Sequence, residues 1–193
     1  VSLAGTGSTV TVHTGGVTFN LLFDAASSAS TTAATNFRAG IVQAASLISS
    51  ALSDNITINI NINYSGTGGG ASAGPNYQIT QTYSSISATL KSHASAGDTT
   101  FNNMPTSISG SATVDVFLPE AKALGLFTAN DTTYVDGVAN FATDISANAL
   151  VGVALHEITH AMGRIPDGNA DIFDLFRFTA PNTVLLSGSI PAP

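Results

Sequence analysis

Cysteine is absent from this 193-residue chain, so no disulfide braces it and no thiolate is on hand for a metal. An oxidising location is allowed but not demanded. Charge is scarce as well: five Lys and Arg stand against twelve Asp and Glu, giving a net charge of −7 with 9% of residues charged. A chain so poor in basic residues carries no electrostatic footprint for nucleic acid or an anionic membrane, which argues against both as partners. No uninterrupted apolar stretch reaches membrane-spanning length, and no basic-then-apolar leader opens the sequence. The start at Val1 raises the expectation of a mature or trimmed product that has lost an export signal.

Ser, Thr, Ala, Gly and Asn take the places that charge leaves, a composition that suits a secreted bacterial protein and points to an extracellular location. The sequons at Asn55, Asn63 and Asn130 read as chance matches in an Asn-rich chain. The length suits one domain with a substantial core. Along it, Val17 to Phe23 reads as a strand, Asp24 to Thr32 as a connector, and Ala33 to Leu52 as a long amphipathic helix with Phe37, Ile41, Ala44, Ala45 and Ile48 on one face. Ile56, Ile58, Ile60 and Ile62 then alternate with Thr57, Asn59, Asn61 and Asn63, the period of a half-buried strand. The run from Ser65 to Gly74 reads as a flexible loop without the Lys-Ser/Thr of a phosphate cradle. A helix is expected from Tyr83 to Ala94, a strand from Thr113 to Phe117, a helical turn from Pro119 to Leu124 and a strand from Tyr134 to Ala142.

His156-Glu157-Ile158-Thr159-His160 is an H-E-x-x-H motif. Residues four apart share a helix face, so His156 and His160 can turn ring nitrogens to one Zn²⁺. Glu157 lies about 100° further round the helix, beside the metal rather than on it, where it can take a proton from a water the metal holds. The usual chemistry of this arrangement is that of a metalloprotease. Three fixed positions also match by chance in polar, exposed helices. Here Ala147, Ala149, Leu150, Val151, Val153, Ala154 and Leu155 precede the motif, and a helix apolar on nearly every face is expected to be buried. Two histidines and a glutamate would be costly there without a partner, which a metal supplies.

A catalytic zinc usually takes three protein ligands. His13 and His93 are far off in sequence and read as ordinary histidines, which leaves the carboxylates after the motif, Asp167, Asp171 and Asp174. The same stretch admits a weaker reading. Asp167, Asn169 and Asp171 place oxygens at alternate positions as a Ca²⁺ loop begins, but the glycine and bidentate glutamate that should follow are missing. Only a looser Ca²⁺ site stays open. Arg164 and Arg177 are expected to pair with these carboxylates rather than with substrate.

At this point the chain resembles the zincin metallopeptidases, whose upper subdomain is a twisted sheet backed by helices with H-E-x-x-H under the cleft. Gly163 follows His160 as in the metzincin and snapalysin-like branches. The metzincin third ligand would fall at Pro166, which has no ligating side chain, and the snapalysin-like aspartate is shifted by one residue to Asp167. With Met104 and Met162 the only methionines, the downstream Met-turn is missing. A closer resemblance is to a group of secreted bacterial H-E-x-x-H proteins classed as metalloproteases. It is carried by Val135-Asp-Gly-Val-Ala-Asn-Phe, His156-Glu-Ile-Thr-His-Ala-Met-Gly-Arg and Asp174-Leu-Phe-Arg-Phe-Thr-Ala-Pro, within a similarity that runs from Phe19 to Pro181. The resemblance implies Asp174 as third ligand, with Asp167 the alternative and Asp171 last. It further implies an α+β, zincin-like fold in one catalytic domain, with a twisted mixed sheet packed on helices. The upper subdomain would span about 1–163 and a short lower one about 164–193.

The expected function is zinc-dependent endopeptidase, acting on protein or peptide through a water activated by Glu157. The strand around Gly137 to Phe141 would take an extended peptide at a sheet edge; no residue is identified to stabilise an oxyanion, and nothing in the sequence supports Tyr134 in that role. Two other readings stand beside it. One is a secreted adhesion or matrix module with a structural metal, against which Glu157 argues. The other is a zinc hydrolase acting on a non-peptide bond, which zinc chemistry alone does not exclude.

Overall fold

Ile and Asn alternating after Ile56 build the strand from which the rest of the molecule is laid out. The computed structural model describes residues 7–108, 113–165 and 168–186, and by internal contacts the chain forms two compact units. One comprises Val1–Tyr77 with Leu118–Gly163, the other Gln78–Phe117 with Arg164–Pro193. The architecture is α+β.

In the first unit, β1 (Thr9–His13), β2 (Thr18–Phe23), β3 (Thr57–Tyr64), β4 (Ala71–Pro75) and, later in the chain, β7 (Gly137–Phe141) form one sheet in the order β1-β2-β3-β7-β4. β2, β3 and β7 are parallel, while β1 and β4 are antiparallel to their neighbours at the two edges. The crossover from β2 to β3 is α1 (Thr32–Ala51). It starts where the Thr31 hydroxyl accepts the Ala34 N–H at 3.2 Å, and it buries Phe37, Ile41, Ala44, Ala45 and Ile48 as the periodicity requires. With α4 (Ala147–Ala161), α1 closes over the sheet face that carries Phe19, Leu21, Ile58, Ile60 and Ile62, and these residues form a single core.

The opposite face is not left to water. Thr57 and Asn59 are buried, because α3 (Leu118–Ala123) and the segment that leads from it to β7 lie over them. The Asn59 amide donates to the Asp131 and Tyr134 carbonyls at 3.1 and 2.9 Å, and Lys122 Nζ donates to the Thr57 carbonyl at 2.8 Å. A strand expected to be half-buried is therefore covered on both faces through Ile60.

The second unit holds β5 (Gln78–Thr82) antiparallel to β6 (Thr113–Phe117), with α2 (Tyr83–Ser92) between them in sequence. Ile86 and Leu90 of α2 are buried with Val114 and Val116 of β6. The Asp115 carboxylate accepts from the Thr80 hydroxyl and the Asn169 amide, each at 3.0 Å. Its N–H donates to the Ala170 carbonyl at 2.8 Å, and this fastens the C-terminal segment to β6. That segment continues as a 3-10 turn (Phe173–Phe176) and a small antiparallel pair, β8 (Phe178–Ala180) with β9 (Thr183–Val184). Among the described residues no helix is long and apolar enough to cross a membrane.

Candidate metal centre

The helix that carries the motif is less buried than its apolar count suggests. Leu150, Ala154, Glu157, Ile158 and Ala161 form its buried stripe, whereas Gly152 and His156 are exposed and His160 is half-buried. Ala and Gly fill much of the sequence, and small side chains lose little by facing water. The expectation of a helix buried on nearly every face is corrected accordingly. The histidines stand on an accessible side of the helix, and the buried stripe that begins beside them at Glu157 anchors it.

On that side the two rings converge. His156 Nε2 and His160 Nε2 are 2.8 Å apart, with ring centroids at 4.3 Å and planes at 88°. At that distance only one of the two nitrogens can carry a proton, the other acting as acceptor. A tetrahedral ion with Zn–N of about 2.0–2.1 Å wants its nitrogens roughly 3.3 Å apart, so a small opening of the pair admits one. Two imidazole nitrogens are donors of the kind zinc takes. Glu157, next to His156, is 6% exposed. Met162 caps the helix, and Gly163 turns the chain away with φ of 117°, a conformation that favours glycine.

The candidates for a third ligand belong to the second unit, apart from Asp167, which lies outside the described residues. Asp174 is 2% exposed in the 3-10 turn, and its Oδ1 accepts from Arg177 Nη1 at 2.8 Å, the pairing expected of that arginine. Asp171 Oδ1 accepts the Asp174 N–H at 2.9 Å and so caps the turn that presents Asp174. Leu175 and Ile172 are buried, whereas Phe176 is 36% exposed and rests edge-on against Phe101. Among the described residues no group of three His, Cys, Asp or Glu is assembled. His13 and His93 are both exposed.

The sheet corrects the expected peptide edge. Gly137–Phe141 is an interior strand, paired on one side with β3 and on the other with β4, so neither of its edges can take up a peptide. The edge strand on that side of the sheet is β4, formed largely by residues expected to be loop, and α4 packs alongside it. Ala142 N donates to the Gly70 carbonyl and Asn76 N to the Asp136 carbonyl, so even-numbered residues of β4 turn their peptide groups toward β7. By the alternation of an antiparallel ladder, Ala71, Ala73 and Pro75 turn theirs outward.

Two features had little sequence signal. The loop before β4 is held, not slack: the Gly68 and Gly69 N–H groups each donate at 2.8 Å to the Asp144 carboxylate, which those bonds keep below its ordinary pKa. Beneath the start of β7, Lys122 Nζ and Asp136 Oδ2 make a fully buried ion pair at 2.7 Å. Burial pushes the Asp136 carboxyl up, an effect opposed by Lys122 and by the Asn59 N–H. The only hint of it was one of five basic residues sitting between Ala121 and Ala123 in a short helical turn. No protein-family model, curated protein or solved structure matches this chain.

Proposed function

We propose that this chain is an extracellular zinc-dependent endopeptidase with a zincin-like arrangement. His156 and His160 are its first two metal ligands, Asp174 the third with Asp167 the alternative, and Glu157 its general base. The observation that carries the reading is the convergence of the two Nε2 atoms, 2.8 Å apart on an accessible helix face, with a buried carboxylate on the adjoining residue. A mixed sheet packed on helices is compatible with the zincin resemblance.

Bound zinc would supply Lewis acidity toward a carbonyl and an acidified water. The chain's own residues do the rest. The buried stripe of α4 anchors the helix backbone from which both imidazoles project. Glu157 takes a proton at its carboxylate and returns it to the departing amine. The outward peptide groups of Ala71 and Ala73 offer N–H and C=O to an extended chain, which favours a peptide over other hydrolysable substrates.

Glu157→Gln tests the reading. Zinc content and fold should be retained while cleavage of a proteome-derived peptide library falls on the order of 10²–10⁴-fold. Activity within a few-fold of wild type would sink it.

A further inference from the structure

Tyr77 and Tyr134 are large rings left 36% and 43% exposed. They meet edge to face with centroids 5.5 Å apart, and Phe127 meets Tyr134 the same way at 5.9 Å. The backbone beneath them is tied down. Asn76 N donates to the Asp136 carbonyl at 2.9 Å and Asn76 Nδ2 to the Val135 carbonyl at 3.0 Å. The Tyr134 carbonyl accepts from Asn59 Nδ2 at 2.9 Å and the Tyr77 carbonyl from Leu118 N at 3.0 Å. Rings held in place yet not covered have the character of a binding surface, because they bring apolar area to a partner with little ordering left to do.

Their place in the fold names the partner. Tyr77 follows Pro75, where β4 ends, and Tyr134 precedes Gly137, where β7 begins; Pro75 and Gly137 are register partners. Gly137 in turn lies against Ala161, the residue after His160. The aromatic pair thus continues the open edge of β4 at the end where the motif helix finishes. Backbone pairing runs out there, because proline has no N–H to offer. A peptide extended past Pro75 finds no N–H of that residue to pair with, and its side chains reach the aromatic pair. Antiparallel addition, the more stable ladder, brings its N-terminal portion to that end.

We infer that Tyr77 and Tyr134 form a specificity-determining subsite for a bulky apolar or aromatic side chain on the N-terminal side of the scissile bond. The inference rests on the peptidase reading above. Neither ring is charged, and the one basic group of the adjoining segment, Lys122, is buried in its ion pair, so an apolar side chain is the fitting occupant.

The test compares the zinc-loaded wild type with Tyr77→Ser, Tyr134→Ser, Tyr77→Phe and Tyr134→Phe on a peptide library read for position-specific preference. Because the chain has no Trp, binding of Trp-bearing peptides to Glu157→Gln can be followed in parallel by their own fluorescence. Wild type should prefer Phe, Tyr, Trp or Leu about tenfold at one position N-terminal to the cut. The Ser variants should lose that preference and the Phe variants should keep it. A preference that survives both Ser variants overturns the subsite, as does cleavage with no preference on that side, and either result leaves the peptidase reading standing. A zinc-loaded wild type that neither cuts nor binds any peptide removes the peptidase reading, and the subsite falls with it.

Discussion

Gly137 and Ala161 touch backbone to backbone: a β-carbon on Gly137 would come within 2.5 Å of the Ala161 carbonyl oxygen and 3.0 Å of its Cα. The end of the motif helix is thereby seated on the first residue of β7. Gly137→Ala must push the two apart, since neither obstacle is a side-chain tip that can swing aside. A loss of about 1–3 kcal/mol is expected for such overpacking, with weakened zinc affinity as the His160 end of the helix lifts. Denaturant unfolding and a chelator competition check both, and an alanine variant as stable as wild type would mean that the contact is not tight.

The purified chain is expected to bind about one Zn²⁺, and His156→Ala to lose most of it by elemental analysis. The third ligand is decided by comparing Asp174→Ala with Asp167→Ala. Loss of a direct ligand should weaken zinc by roughly 10²-fold or more, against the 10–100-fold of a supporting group. If the Asp167 variant loses the metal and the Asp174 variant keeps it, the ligand is Asp167 and the Arg177–Asp174 pair is purely structural.

Lys122→Met should destabilise the protein by about 3–5 kcal/mol, because it strands the Asp136 carboxylate in a site with no access to water. Adding Asp136→Asn to that variant should recover a large part of the loss. Urea unfolding of the two single variants and the double variant yields the coupling directly, and simple additivity would contradict the pairing.

Asp144 supplies a pH signature. Its folded-state pKa lies below the ordinary carboxylate value, so its contribution is present above that ordinary value and is lost as pH falls through the depressed one. The Gly68 and Gly69 amides should therefore resist hydrogen exchange at neutral pH and lose protection only on the acid side of the normal carboxylate range. Asp144→Asn should release them at neutral pH while the sheet stays protected. Unchanged protection at Gly68 and Gly69 in that variant would refute the clamp.

What could be read from the sequence was whatever a local period determines. α1 and β3 follow from the spacing of Phe37, Ile41, Ile48 and of Ile58, Ile60, Ile62, and the pairing of His156 with His160 follows from the same helical repeat. β4 could not be read that way, since Ala71-Ser-Ala-Gly-Pro75 has no β-branched residue and becomes a strand only because β7 offers it a partner. The burial of α4 misled because alanine counts as apolar without needing to be covered. Where Asp174 lies is settled by Asp115, Asn169 and Asp171 in the second unit, contacts no spacing rule encodes.

The position of β7 in the sheet also sets an order of events during synthesis. It pairs with β3 and β4, strands that leave the ribosome some 60 to 80 residues earlier by their register partners, such as Ile60↔Gly137 and Pro75↔Gly137. Until Phe141 has emerged, β4 has nothing to bind, and the sheet cannot close by local contacts. Non-local closure of this kind slows folding and leaves unpaired strands open to wrong partners. The motif helix follows immediately, so both histidines are made only after the last strand of their platform. A nascent chain of this sequence cannot assemble its metal-binding face before its sheet is complete.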